Sequence, residues 1–313
     1  SVASRGLGDV YKRQEHEAEL GEVLSSSPDD PGLERWLQRQ LGSEGERLDQ
    51  LRSRLWQDAR WQRHDRVLIL EARSLLWALD PLQHTPEGGV VIQVANGSDR
   101  ERLQAQLRVL DSLRQPQIIA EPLESLSGEL APGAQFEWIA ARHPFRQMTT
   151  AELEGALASL DQLATPAAQL RLLFSHAVTG PATALLATDS LPTRLRVLLE
   201  AVPAAEPAWL ESSPQPTSLE RALSELGWEL HWQHWQEQLE LTLSRDLIER
   251  WLGPEAPYRR QLSTLLDAPA IHMLQDGLLD HIGLKLPQQL EHQRLVAKRR
   301  NPDTAAQHKK TSA

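Results

Sequence analysis

Cysteine is absent from the 313-residue chain, and phenylalanine and tyrosine are scarce, with three and two copies. Without cysteine there can be no disulfide scaffold, cysteine zinc site or thiol catalysis. Lysine occurs only at Lys12, Lys285, Lys298, Lys309 and Lys310, and none of these lies in a Walker A phosphate loop. The chain is therefore not itself a P-loop ATPase. A Gly-x-Ser-x-Gly nucleophile elbow is also missing.

Long apolar runs are missing too, since none reaches the roughly 18 residues of a membrane-spanning helix. Hydrophobic residues make up 40% of the chain and charged residues 24%, which is typical of a globular protein. The net charge of −10 argues against nucleic-acid binding that is mainly electrostatic and involves the chain as a whole. We expect a cytoplasmic location and no membrane partner.

The first residues do not read as biological sequence. Ser4 to Gln14 is SRGLGDVYKRQ, which looks like the translation of a sequencing adapter, so we set residues 1–14 aside. We expect the native sequence to start near Glu15 and the chain to be the C-terminal part of a longer protein.

Residues 15–62 form a polar segment with helical periodicity. Leu33, Trp36, Leu37 and Leu41 recur at helical spacing. The sequence SSSPDDPG at residues 25–32 divides the segment into separate helices.

Residues 63–244 alternate between short apolar runs and amphipathic stretches. Five runs predict strands, at 67–70, 89–94, 117–120, 136–141 and 170–175. Helices are predicted between them, with Ser98 and Thr150 as two of the capping residues. Strands that alternate with helices at this spacing predict a parallel sheet covered on both faces.

A hairpin is predicted after the fifth strand. Trp228, Leu230 and Trp232 occupy even-numbered positions, whereas Leu239 and the leucines after it occupy odd-numbered positions. This change of parity suggests a turn near residues 233–238. Five parallel strands closed by a hairpin are the layout of the class I methyltransferase fold, a Rossmann-like α/β fold. Helical additions precede and follow it.

The end of the chain is predicted to be helical over residues 245–296 and to finish in a basic disordered tail over residues 297–313. The basic residues of the tail are candidates for contact with DNA, but a solvated tail is the interpretation we favour. They are Lys298, Arg299, Arg300, Lys309 and Lys310.

The ends of the predicted strands lack the expected methyltransferase chemistry. The segment Glu71–Leu75 has no glycine, although close approach of a cofactor to backbone favours glycine there. The second strand leads to Asn96 rather than to a carboxylate, and the fourth leads to Arg142 and His143 before Pro144. Our first hypothesis is therefore a degenerate site with no catalytic residue and no cofactor.

The alternative is an active S-adenosylmethionine-dependent methyltransferase with an unusual cofactor loop. It places Glu71 and Asn96 at the cofactor, and Arg142 and His143 at the substrate. A metal site is not predicted, because His231 and His234 have no evident third ligand.

Three stretches resemble one known family. They are HDRVLILEARSLLWALDPLQHTPEGGV at 64–90, EWIAARHPF at 137–145 and RWLGPEAPYRRQL at 250–262. They are similar to the C-terminal module of cyanobacterial fusion proteins that carry the recombination factor RarA, an AAA+ ATPase, at the N-terminus. This resemblance implies a non-catalytic accessory module, an upstream ATPase domain as partner, and a role in DNA replication and recombination.

Overall fold

The computed structural model describes residues 47–108, 115–146, 148–210 and 216–300. The adapter-like leader, the helices predicted before residue 47, Lys309 and Lys310 lie outside these ranges. Within them, no helix has both the length and the hydrophobicity needed to cross a membrane.

Seven strands of the described residues join one sheet. They are β1 (Val67–Leu70), β2 (Val90–Gln93), β3 (Gln117–Ile119), β4 (Phe136–Arg142), β5 (Ala164–Ala177), β6 (Trp228–Thr242) and β7 (Lys285–Arg299). Their order is β3-β2-β1-β4-β5-β7-β6, and the first five run parallel. All four residues of β1 are buried, as its continuous apolar run predicts. Leu68 lies opposite Val91 of β2 and Ile139 of β4. The predicted parallel α/β sheet is confirmed.

Helices fill the connections between the strands. They are α1 (Leu79–His84), α2 (Gly97–Leu107), α3 (Leu126–Glu129), α4 (Thr150–Leu163), α5 (Pro181–Leu186), α6 (Thr193–Leu199), α7 (Glu206–Trp209), α8 (Pro216–Glu225), α9 (Arg245–Leu252), α10 (Pro257–Leu262) and α11 (Ala268–Leu279). Short 3₁₀ helices cover Leu75–Ala78 and Leu123–Ser125, and residues 47–55 are also helical.

Two helix caps differ from the prediction. The cap of α2 is Asn96 instead of Ser98, and the cap of α4 is Thr149 instead of Thr150. Thr149 and Glu152 form a capping box, in which the Thr149 side chain accepts from the Glu152 amide and the Glu152 carboxylate accepts from the Thr149 amide. In both helices the residue that satisfies the first free amides lies just before the helix and has extended backbone.

The chain divides into two compact units. The described part of the first comprises residues 47–108, 115–146, 148–174, 216–233 and 294–300. Its core packs the apolar face of α4, including Leu153 and Leu157, with strand residues such as Leu68 and Ile139. Leu295 of β7 belongs to the same core.

The last two strands correct the predicted hairpin. Residues 228–242 form the single strand β6, and its antiparallel partner is β7. The Lys285 ammonium donates to the Thr242 hydroxyl, while the Arg294 guanidinium donates to the Gln233 amide oxygen, so the numbering of the two strands runs in opposite directions. The predicted turn is wrong because the parity changes inside one strand, where Gln233 and His234 are both exposed. The C-terminal hairpin exists, but α9 to α11 connect its strands.

The second unit holds residues 175–210 and 234–293 of the described chain. Its core contains Leu195 and Leu199 of α6 together with Ile248 of α9 and Leu274 of α11. The prediction of helix throughout 245–296 is wrong from residue 285 onward, because β7 begins there. Lys298 and Arg299 end that strand instead of starting a disordered tail.

A buried carboxylate organises the start of α5. Glu206 is 1% exposed and accepts hydrogen bonds from the amides of Ala182 and Thr183 and from the Tyr258 hydroxyl, at 2.7, 3.0 and 2.6 Å. A Cβ on Gly180 would lie 2.2 Å from the Glu206 carboxyl carbon, so glycine is required for this close approach. Burial and the adjacent Glu206 raise the pKa of the Tyr258 hydroxyl, which keeps it a donor.

Candidate functional site

Glu71 joins the carboxyl ends of three strands. Its amide donates to the Gln93 side-chain oxygen at the end of β2, at 2.8 Å. Its carboxylate accepts from the Phe145 amide beyond the end of β4, at 2.9 Å. The Gln93 side-chain amide also donates to the Glu121 carbonyl after β3, at 2.8 Å. The edge where an open α/β sheet binds its ligand is therefore held together by side chains.

The backbone of Glu71 is left-handed, with φ of 49°. Glycine adopts this conformation without strain, whereas a side chain makes it costly. The loop after β1 thus takes a glycine-like path at Glu71 although it contains no glycine. Its far end is fixed by the Leu75 amide, which donates to Gln106 at 3.1 Å, and by Ser74, whose hydroxyl accepts from the Leu76 amide.

The Glu71 carboxyl is largely buried, and burial raises its pKa above the ordinary value of 4.5. The Phe145 amide and the guanidinium groups of Arg146 and Arg73 act in the opposite direction. Desolvation outweighs these favourable partners. The edge therefore contains an acidic group whose charge is poorly compensated.

Asn96 lies in an exposed turn after β2. Residues 95–98 are all exposed, and the Asn96 side-chain oxygen accepts from the Asp99 amide at 2.9 Å. This oxygen is used to cap α2, so the donor side of the amide is the part suited to a ligand.

Arg142 and His143, at the end of β4, differ in burial and in their contacts. Arg142 is 9% exposed, and its guanidinium carbon lies 5.7 Å from the centre of the Trp77 ring. His143 is half-buried with φ of 51°, and its amide donates to the Leu173 carbonyl at 2.9 Å. Phe145 is fully buried in the core, so the aromatic residue after Pro144 contributes its backbone amide and not its ring.

The four predicted site residues thus lie at one edge of the sheet, whereas Gln93 was missed. Gln93 is 2% exposed, although it ends the otherwise apolar strand VVIQ. A buried polar side chain requires partners, so the glutamine in this run was a usable signal. Phe145 could not be identified from its side chain, because its amide makes the contact.

The two histidines considered as metal ligands have carboxylate neighbours, and the described residues contain no group of three or more side chains placed to hold a metal ion. His231 lies 3.5 Å from Glu229, and His234 lies 3.8 Å from Glu291, on exposed positions of β6.

These features define the class of fold. The strand order, the parallel strands β1 to β5 and the antiparallel pair β6 and β7 fit a class I methyltransferase fold. No protein-family model matches the chain, and no curated protein matches it.

Solved structures with this fold are similar to the chain. The YcgJ protein from Bacillus subtilis is 14% identical, with a TM-score of 0.50, over 80% of this chain and 99% of that one. Geranyl diphosphate C-methyltransferase from Streptomyces coelicolor A3(2) is 9% identical, with a TM-score of 0.45, over 94% and 98% of the two chains. The cyclopropane synthase MmaA2 from Mycobacterium tuberculosis is 11% identical, with a TM-score of 0.45, over 92% and 93%.

The comparison corrects one prediction. The Streptomyces enzyme was solved with S-adenosyl-L-homocysteine. This finding contradicts the expectation that no cofactor is bound.

Proposed function

We propose that the chain is an S-adenosylmethionine-dependent methyltransferase whose cofactor lies against the edge formed by the ends of β1, β2 and β4. The observation that carries this proposal is the position of Glu71, bonded to both Gln93 and Phe145. These two hydrogen bonds link the loop after β1 to the ends of β2 and β4 around the Glu71 carboxylate. S-adenosylmethionine supplies an electrophilic methyl group on a positively charged sulfur.

Three features of the edge fit this cofactor. The left-handed backbone at Glu71 gives the loop after β1 the path that a glycine would give. The Glu71 carboxylate offers negative charge to a cationic ligand, because opposite charges attract strongly in a partly desolvated site. The exposed amide of Asn96 can donate to a ribose hydroxyl.

The residues after β4 act on the substrate in this proposal. Arg142, whose guanidinium packs on Trp77, provides positive charge at a buried position. His143 is half-buried, and its neutral imidazole can accept the proton that a nucleophilic substrate releases during methylation. The proton then leaves the imidazole for solvent.

Calorimetric titration of the full chain with S-adenosylmethionine tests the proposal. We expect saturable binding with a dissociation constant below about 1 mM. Glu71→Gln keeps an acceptor for the Phe145 amide but removes the charge, and we expect affinity to fall roughly tenfold. Asn96→Ser keeps a capping oxygen while removing the amide donor, and it should also weaken binding.

The matched control is Glu154→Gln, which removes an exposed carboxylate paired with Arg221 and should leave affinity unchanged. Absence of heat at millimolar cofactor with the folded wild-type chain would contradict the proposal. Equal affinity of all variants would contradict the assigned residues.

The partnership with an AAA+ ATPase of the RarA type stays a prediction, and genomic sequence upstream of the codon for Glu15 would test it. Among the residues expected to reach DNA, Arg299 pairs with Asp161 at 3.2 Å and lies over the Trp228 ring. Lys298 is exposed at the end of β7 and is the better candidate.

A further inference from the structure

Three side chains of the second unit form a hydrogen-bonded series across neighbouring strands. Ser175 of β5 contacts His292 of β7, with 2.5 Å between the hydroxyl oxygen and Nδ1. His292 in turn contacts Glu237 of β6, with 2.7 Å between Nε2 and the carboxylate oxygen. The central position of β7 between β5 and β6 brings the three residues together.

The Glu237 carboxylate determines which ring nitrogen of His292 carries the proton. An ionised Glu237 can only accept, so His292 donates from Nε2 and its Nδ1 carries the lone pair. Ser175 then donates its hydroxyl proton to Nδ1. A serine that donates to an imidazole held by a carboxylate is the arrangement that activates a hydroxyl nucleophile.

Burial differs along the series in the way that such a relay needs. His292 is fully buried, and its ring stacks on Trp235 with 5.2 Å between ring centres and an angle of 29°. Ser175 is half-buried, and the Glu237 side chain is 28% exposed. The base is therefore shielded from solvent, whereas Ser175 and Glu237 are only partly buried.

We propose that Ser175 and His292 form a second catalytic site, which hydrolyses small carboxylic esters through an acyl-serine, with Glu237 as the positioning residue. The Ser175 oxygen bonds to the ester carbonyl carbon as its proton passes to His292 Nδ1. The C–O bond to the alcohol then breaks, and the alcohol leaves with that proton. Water attacks the acyl-serine, its proton passes through His292 to the Ser175 oxygen, and the carboxylic acid is released.

Labelling with a fluorophosphonate probe tests the nucleophile directly. We expect the full chain to be labelled at Ser175, as identified by peptide mass mapping, and to hydrolyse p-nitrophenyl acetate. Ser175→Ala should abolish both. His292→Asn should slow labelling by roughly 100-fold. Ser263→Ala removes an exposed hydroxyl of the same unit that bonds only to a backbone carbonyl, and it serves as the matched control.

Glu237 needs a readout that separates positioning from folding. We expect Glu237→Gln to lower kcat roughly tenfold or more with little change in KM, because the wrong tautomer of His292 is then stabilised. Glu237→Asp should restore part of the loss. A folded wild-type chain that is not labelled at Ser175, or an unchanged labelling rate in His292→Asn, would overturn the proposal.

Discussion

Glu71 combines a charged side chain with a buried position and a left-handed backbone. Its partners do not compensate for burial, since its pKa is raised despite the Phe145 amide and two nearby arginines. Strain of this kind costs free energy of folding and is retained mainly where a site requires it. The residue therefore connects the stability of the fold to the proposed cofactor site.

The raised pKa of Glu71 predicts a pH-dependent effect of Glu71→Gln. Below the ordinary value of 4.5 the carboxyl is protonated in both the folded and the unfolded chain. As the pH rises toward the higher folded-state pKa, only the unfolded chain loses the proton, so the wild type loses stability relative to the variant. We expect the melting temperature of Glu71→Gln to exceed that of the wild type by about 2 °C near neutral pH.

Near pH 4 this difference should vanish. Thermal unfolding followed by circular dichroism at both pH values measures it. A difference that stays constant with pH, or that grows on acidification, would contradict the assigned pKa shift.

At the scale of elements, two arginines hold the end of the helical segment 47–55. Arg171 donates to the carbonyls of Leu55 and Gln57, at 3.1 and 2.7 Å, and Arg294 donates to Gln57 at 2.7 Å. Burial and the neighbouring Arg294 lower the pKa of Arg171 to about 10, so it stays charged at neutral pH. The carbonyl end of a helix attracts positive charge.

Arg171→Met should release this segment. The two carbonyls would lose donors, and local opening should become easier by roughly 1–2 kcal/mol. Limited proteolysis with trypsin should then cut after Arg52 or Arg54 about tenfold faster. Arg63→Met removes an exposed ion pair with Glu87 and should leave the rate unchanged. Equal rates in Arg171→Met and the wild type would show that Arg171 does not hold the segment.

Local sequence signals determined which elements could be predicted. β1 was predicted because its apolar run is continuous and buried, and β4 because all of its residues except Glu137 are buried and most are apolar. β6 was divided in two because its apolar residues shift from even-numbered to odd-numbered positions, which is also what a turn produces. In the structure the strand continues through this shift, and the consecutive residues Gln233 and His234 are both exposed. β7 was missed because its sequence KLPQQLEHQRLVAKR is mostly polar and contains proline, which disfavours strand prediction.

At the scale of the whole molecule, the two candidate sites differ in how far sequence could reveal them. Glu71, Asn96, Arg142 and His143 could be assigned to one edge of the sheet from the sequence, because the ends of parallel strands meet there. Ser175 and His292 are 117 positions apart, and only the insertion of β7 between β5 and β6 makes them neighbours. No periodicity or spacing in the chain encodes that strand order.

Hydrogen–deuterium exchange with and without S-adenosylmethionine tests the proposed cofactor site most directly, because it locates binding along the chain. We predict slower exchange in three separate segments, residues 71–75, 93–98 and 142–146, since the loops after β1, β2 and β4 would all contact the cofactor. The same exchange in these segments with and without saturating cofactor, or protection confined to other parts of the chain, would contradict the assignment.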